Sequence, residues 1–86
     1  MISKDDFSNI KHLNELNDGE EGIIISFSDN GDAELKRHLL GMGFVKGSKI
    51  KMEKVAPLGD PMKFKIKGYS ISLRKNEAKN ILVGLN

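Results

Sequence analysis

The sequence predicts an all-β domain, a small β-barrel with one inserted short α-helix and a one-turn helix before the last strand. Two patterns carry this. Apolar and polar residues alternate through 50–53, 62–66 and 69–73, which is the period of a half-buried strand. Only the stretch 33–40 places apolar residues at helical spacing, so the βαβ rhythm of a parallel sheet is missing. Five short strands and one helix are best accommodated in a barrel closed on itself.

Residues 1–11 read as an N-terminal extension and 12–86 as the domain. Asn17-Asp18-Gly19 is a turn signature. Gly22 opens Ile23-Ile24-Ile25-Ser26-Phe27, a β-branched run that makes the first strand, and 28–31 break it. Asp32 is an N-cap for the helix. Leu35 and Leu39 share a face four residues apart, Ala33 joins them, and Gly41 or Gly43 supplies the C-terminal stop. Ile50 and Met52 then alternate with Lys49, Lys51 and Glu53. Pro57 and Pro61 bound a loop, because proline cannot donate to a ladder.

Lys67-Gly68 reads as a two-residue hairpin turn with glycine at positive φ. That turn fixes a register. Ile66 faces Tyr69, Phe64 faces Ile71 and Met62 faces Leu73 on the inner side, while Lys65–Ser70 and Lys63–Ser72 pair outside. A slip of one residue would invert both faces. Extended to the preceding strand, the register sets Ile50 against Ile66, Met52 against Phe64, Lys51 against Lys65, Lys49 against Lys67 and Glu53 against Lys63. Residues 75–79 give one helical turn, and Ile81, Val83 and Leu85 a last strand.

The chain has 86 residues, no cysteine and a net charge of +2. Without cysteine there are no disulfides and no thiolate metal sites. No apolar run reaches the roughly 20 residues of a membrane span, and the N-terminus lacks the order of a signal peptide. The chain therefore reads as cytoplasmic. Its charge is uneven: residues 1–45 carry a net −5 and residues 46–86 a net +7. Such a split suits an acidic or polyanionic partner, although a solvated lysine face would look the same.

Catalytic patterns are lacking. Neither His12 nor His38 falls in a metal-binding spacing. Surface histidines are the plain reading, and His38 with Asp32 or Glu34 is the one candidate metal site. No phosphate-binding glycine loop or nucleophile motif is present, and no cofactor is expected. Nucleic acid is a rival ligand for the lysines. Single-strand binders, however, interleave aromatics with their bases, and here Phe64 and Tyr69 are expected to point inward. A protein partner fits better. The expected recognition surface combines Met42, Leu58 and Met62 with Lys49, Lys51, Lys65 and Lys67, since adaptable methionines and exposed apolar clusters mark interaction sites. Open strand edges would also permit homo-oligomers.

Three runs of residues together resemble a known family. The first is Leu13, Leu16, Gly19, Gly22 and Ile24. The second is Leu40, Phe44, Gly47 and Ile50, followed by Gly59-Asp60-Pro61. The third is Gly68, Ile71, Leu73-Arg74, Glu77-Ala78, Ile81 and Val83. In order and spacing they resemble the FeoA family (ferrous iron transport protein A). The chain departs from it in its extension 1–11 and in Met42, where the family often has Leu or Glu.

The resemblance implies an SH3-like barrel and a non-enzymatic cytoplasmic accessory of ferrous iron uptake. The implied partner is the cytoplasmic GTPase-bearing part of the FeoB membrane transporter, with no nucleic acid. A related domain ends metal-dependent repressors of the diphtheria-toxin-repressor type, so a metal-sensing regulatory domain is a second alternative to set beside the nucleic-acid-binding barrel. Arg74 and Glu77 are expected to pair at i, i+3.

Overall fold

The computed structural model describes residues 3–28 and 32–86. Six antiparallel strands form one sheet: β1 (Asn9–His12), β2 (Glu21–Phe27), β3 (Lys49–Val55), β4 (Met62–Ile66), β5 (Tyr69–Leu73) and β6 (Ile81–Leu85), in the order β1-β6-β2-β3-β4-β5. Helix α1 (Ala33–Gly41) joins β2 to β3, and the one-turn α2 (Lys75–Ala78) precedes β6. The sheet curls around its core, helped by register shifts between Ile24 and Ser26 in β2 and between Met52 and Lys54 in β3. Such bulges bend a strand and increase its twist.

Two expectations change here. Among the described residues there are six strands and not five, because β1 lies almost wholly in the stretch read as an N-terminal extension. Its register runs from Asn9↔Leu85 to His12↔Leu82. A four-residue strand with one apolar residue, Ile10, carries no period of its own; backbone pairing with β6 defines it. The ladders also do not close the barrel, since β1 and β5 remain edges among the described residues.

The β4–β5 hairpin has the expected register at all five pairs. Both turn residues take positive φ, Lys67 at 52° and Gly68 at 83°, so the turn is type I′, whose twist matches its strands. Alternation places Met62, Phe64, Ile66 and Leu73 in the core. Tyr69 does not follow them: it is 71% exposed, because it stands on the edge strand beside the turn, where no further element covers the core side. Glu53 does not face Lys63, since the β3 bulge brings Lys54 to that position.

Helix α1 starts as expected, with the Asp32 side chain accepting from the Leu35 N–H at 2.9 Å. Leu39 is fully buried and Leu35 partly so, whereas Ala33 remains exposed. At the other end the Phe44 N–H donates to the Leu39 carbonyl and the Gly43 N–H to the Leu40 carbonyl, with Gly43 at φ 101°. This paired 6→1 and 5→2 pattern is a Schellman cap. It drops Phe44 beside Leu39, and both are fully buried. The break expected at 28–31 falls outside the described residues beyond Ser28.

One contact outside the core fixes the central strands. Gly84 of β6 lies under the ring of Phe7, and a Cβ at Gly84 would clash with the Cγ and Cδ atoms of that ring. The Ser8 N–H and Oγ both bond the Leu85 carbonyl at 3.1 Å, which holds Phe7 over the strand. Phe7 thus covers a site that only glycine leaves flat.

A second tie joins β1 to the residues before β2. The Glu20 carboxylate accepts from Lys11 Nζ at 3.1 and 3.3 Å and from the Asn17 N–H at 2.9 Å. The Asn17 N–H bond and then the Lys11 ammonium hold the Glu20 carboxyl below the usual glutamate range. Because the folded value is the lower one, this contribution is complete above the unfolded pKa and disappears as pH falls through the folded pKa.

Two measurements check these contacts. Gly84→Ala is expected to cost about 1–3 kcal/mol in urea unfolding and to cost less in a Phe7→Ala background, where the ring no longer competes for the space. Glu20→Gln is expected to flatten the loss of urea midpoint between neutral and acid pH relative to the parent chain.

Candidate partner-binding face

The outer face of β3, β4 and β5 is built by the same alternation that fills the core. Ile50 and Met52 point inward, so Lys49 and Lys51 point outward; Phe64 and Ile66 point inward, so Lys63 and Lys65 point outward. Lys51 faces Lys65 directly, and the bulge sets Lys54 against Lys63. Lys49 and Lys67 lie one position past the end of that ladder, where Lys67 is a turn residue.

Two like-charged pairs therefore face each other on adjacent strands, an arrangement that weakens a sheet. Acids compensate in part. Glu21 lies opposite Lys51 on the β2 side, and its Oε2 is 3.9 Å from Lys49 Nζ. Glu53, displaced by the bulge, accepts from Ser70 Oγ at 2.7 Å.

Leu58 marks one end of this face. It sits in the connection between β3 and β4 and is 96% exposed. A shallow cleft of about 280 Å³ lies beside it, lined by Lys54, Ala56, Pro57, Pro61, Lys63 and Ser72. The Asp60–Pro61 peptide is cis, and the Ala56 N–H bonds the Pro61 carbonyl at 3.0 Å. Asp60 anchors the loop to α2, with its Oδ1 accepting from the Lys75 N–H at 2.9 Å and its Oδ2 3.8 Å from the Arg74 guanidinium. The expected Arg74–Glu77 pair takes another form: Glu77 Oε1 accepts from the backbone N–H of Arg74 at 2.8 Å.

The candidate residues separate into two groups. Lys49, Lys51, Lys65 and Lys67 are exposed together with Leu58. Met62 is 3% exposed and lies between Val55 and Leu73 in the ladders; strand β4 begins at that residue, so alternation carries it inward. Met42 caps α1 and packs partly buried against the core.

His38 is exposed on α1, and among the described residues no cluster of three or more His, Asp or Glu side chains could hold a metal ion. Lys54 and Lys63 belong to the face but were not among the expected site residues, and Tyr69 is exposed on the opposite, core side of the β5 edge. Alternation signals Lys63; the bulge and the edge position that expose Lys54 and Tyr69 have no signal in the chain.

A family model described as the FeoA domain matches residues 11–85. The chain belongs to the FeoA family. A FeoA-like protein from Clostridium acetobutylicum, solved by NMR, is 37% identical with a TM-score of 0.81, over 91% of this chain and 88% of that one. The provisionally named Fe(2+) transport protein A of Campylobacter jejuni is 36% identical over 85% of this chain and 96% of its own length. In Porphyromonas gingivalis the relative is an Fe(2+) transport protein A/Fe(2+) transporter FeoB fusion protein, 37% identical over 85% of this chain, which spans 8% of that fusion.

The Stenotrophomonas maltophilia FeoA, 30% identical with a TM-score of 0.72 over 83% of this chain and 86% of its own, is described as an SH3 domain protein and was solved in complex with zinc. The FeoA fold seen here is that SH3-like arrangement, and FeoA is a small transport-related domain outside the known enzyme families. No helix among the described residues is long and apolar enough to cross a membrane.

If the opposed lysines are kept at the expense of stability, Lys65→Glu should stabilise the FeoA domain by about 0.2–1 kcal/mol. The gain should shrink as salt screens the pair, which urea titrations at low and high sodium chloride would read.

Proposed function

We propose that this FeoA domain is a non-enzymatic cytoplasmic accessory of ferrous iron uptake that docks on the cytoplasmic part of a FeoB-type transporter. The observation that carries the reading is the relative in which an FeoA segment and FeoB form one polypeptide. Fusion holds two modules at high effective concentration, and such linkage is useful when the two act together. The face of Lys49, Lys51, Lys65 and Lys67, with Leu58 at its end, supplies the chemistry for docking. Lysines steer an acidic partner into register, and an exposed leucine offers an apolar anchor. Lys54 and Lys63 extend this face, and Met62 does not contribute to it.

Nucleic acid would use the same lysines, but the exposed aromatic, Tyr69, stands on the core side of the sheet and not among them, short of an interleaved set.

A pull-down with the soluble domain of the transporter tests the reading. Capture by the parent chain is expected, with at least tenfold weaker capture (about 1.4 kcal/mol) by Leu58→Asp or by the double reversal Lys51→Glu/Lys65→Glu. If both variants bind like the parent, the face is wrong.

A further inference from the structure

The edge of β5 has a property that the lysine face alone does not explain. Strand edges in soluble proteins are normally blunted by charges, proline, bulges or a covering element. The other edge, β1, carries Lys11 and His12 and is flanked by short 3-10 turns at Lys4–Asp6 and Leu13–Glu15. Strand β5 reads Tyr69-Ser70-Ile71-Ser72-Leu73, with no charge, proline or bulge, and its single ladder among the described residues is with β4.

The two-residue turn decides which backbone groups are free. It makes the flanking pair Ile66–Tyr69 the hydrogen-bonded kind, and the kinds alternate from there. Tyr69, Ile71 and Leu73 therefore direct their N–H and C=O groups to β4. Ser70 and Ser72 direct theirs outward, two donors and two acceptors in a row.

We infer that the β5 edge accepts an extended segment of a partner protein as a seventh strand, and that this segment alternates apolar and acidic residues. The inference rests on the partner reading above and specifies how the partner is held. The alternation follows from the two faces. On the core side an added strand meets Tyr69, which is 71% exposed, and the half-buried Ile71, so the residues opposite them are apolar. On the outer side it meets the Ser70 and Ser72 hydroxyls, with Lys65 and Lys63 directly behind them on β4.

Neighbouring strands lie about 4.8 Å apart, so a carboxylate opposite Ser70 is within reach of a lysine two strands away. The domain already shows such a contact from the other side: Glu53 extends a carboxylate to Ser70 Oγ at 2.7 Å. A second copy of this chain is a poorer occupant. Two-fold pairing of β5 with β5 would bring the Lys63 and Lys65 rows of both copies onto one face.

The probe is an acetylated heptapeptide of alternating valine and glutamate, titrated into the 15N-labelled chain. Saturable shifts and slowed hydrogen exchange at the Ser70 and Ser72 amides are expected. Ser70→Pro removes an outward donor without removing a ladder bond, as proline on an edge strand allows, and should weaken the peptide about tenfold or more. Lys63→Glu/Lys65→Glu leaves the backbone intact and should transfer the preference to an alternating valine–lysine peptide, which keeps the inference falsifiable if the proline variant fails to fold. Glu53→Gln should tighten the acidic peptide severalfold by removing a competing carboxylate.

No response of these amides at millimolar peptide overturns the inference. So does protection of them that depends on protein concentration alone, the mark of self-pairing, or a response to an oligonucleotide and not to the peptide. Capture of the transporter domain separates the two readings. If Ser70→Pro still captures it like the parent, the edge is wrong while the partner stands; if the parent never captures it yet adds the peptide as a strand, the partner is wrong while the edge stands.

Discussion

The fold depends on where its last strand goes. Strand β6 lies between β1 and β2 and pairs with both; without it, β1 has no partner and the β2–β5 meander has an open end in place of a second wall. Ile81 and Val83 are fully buried on it, and Gly84 is bare so that Phe7 can lie against the backbone. Pairs such as Asn9↔Leu85 join the two ends of the described chain. Their loop-closure cost is met late in folding, because distant contacts must form before they contribute. Helix α2 aims this strand. The Asn80 side chain donates to the carbonyls of Asn76 and Glu77, and the Asn80 carbonyl accepts from the Ser28 N–H. One residue at the helix end, through its side chain and its backbone carbonyl, thus joins the entry of β6 to the exit of β2.

What the sequence makes legible is what periodicity controls. The β4–β5 register could be read from alternation and a glycine turn because both faces of the hairpin agree on one answer. The α1 cap was legible for a similar reason: Asp32, Leu39 and Gly43 sit where helix ends require them. Features imposed by neighbours were not legible. Strand β1 exists because β6 offers it a ladder. The β3 bulge moves Glu53 off Lys63 with no local cue, since any residue can occupy a bulge. Met62, whose alternation pairs it inward with Leu73, was also expected on the recognition surface beside Pro61, and it is the first inward position of β4. Tyr69 obeys the alternation but stands on an edge, and burial requires a neighbour as well as a direction.

The candidate site divides in the same way. Its lysines could be read because each is the outward complement of a core residue, and Leu58 because a loop between prolines has little to pack against. The exposed tyrosine and the outward-facing amides of Ser70 and Ser72 depend on strand order, which alternation does not encode. Association with iron transport came from neither source. It came from the spacing of glycines, leucines and the Arg74–Glu77 turn, which are fold determinants, and from the family that shares them.

The alternation along residues 49–52 of β3 and along β4 has a consequence for how such a domain changes over generations. Residues that hold the fold and residues of the proposed partner face sit on the same strands but on opposite sides, one position apart. Effects at sites without shared contacts tend to add, so substitutions at 49, 51, 63 and 65 can alter the outer charge pattern while 50, 52, 64 and 66 remain fixed. Two copies of such a gene could diverge in whom they recognise without either becoming harder to fold, and matched charge exchanges across an interface would give pairs that ignore each other's partners.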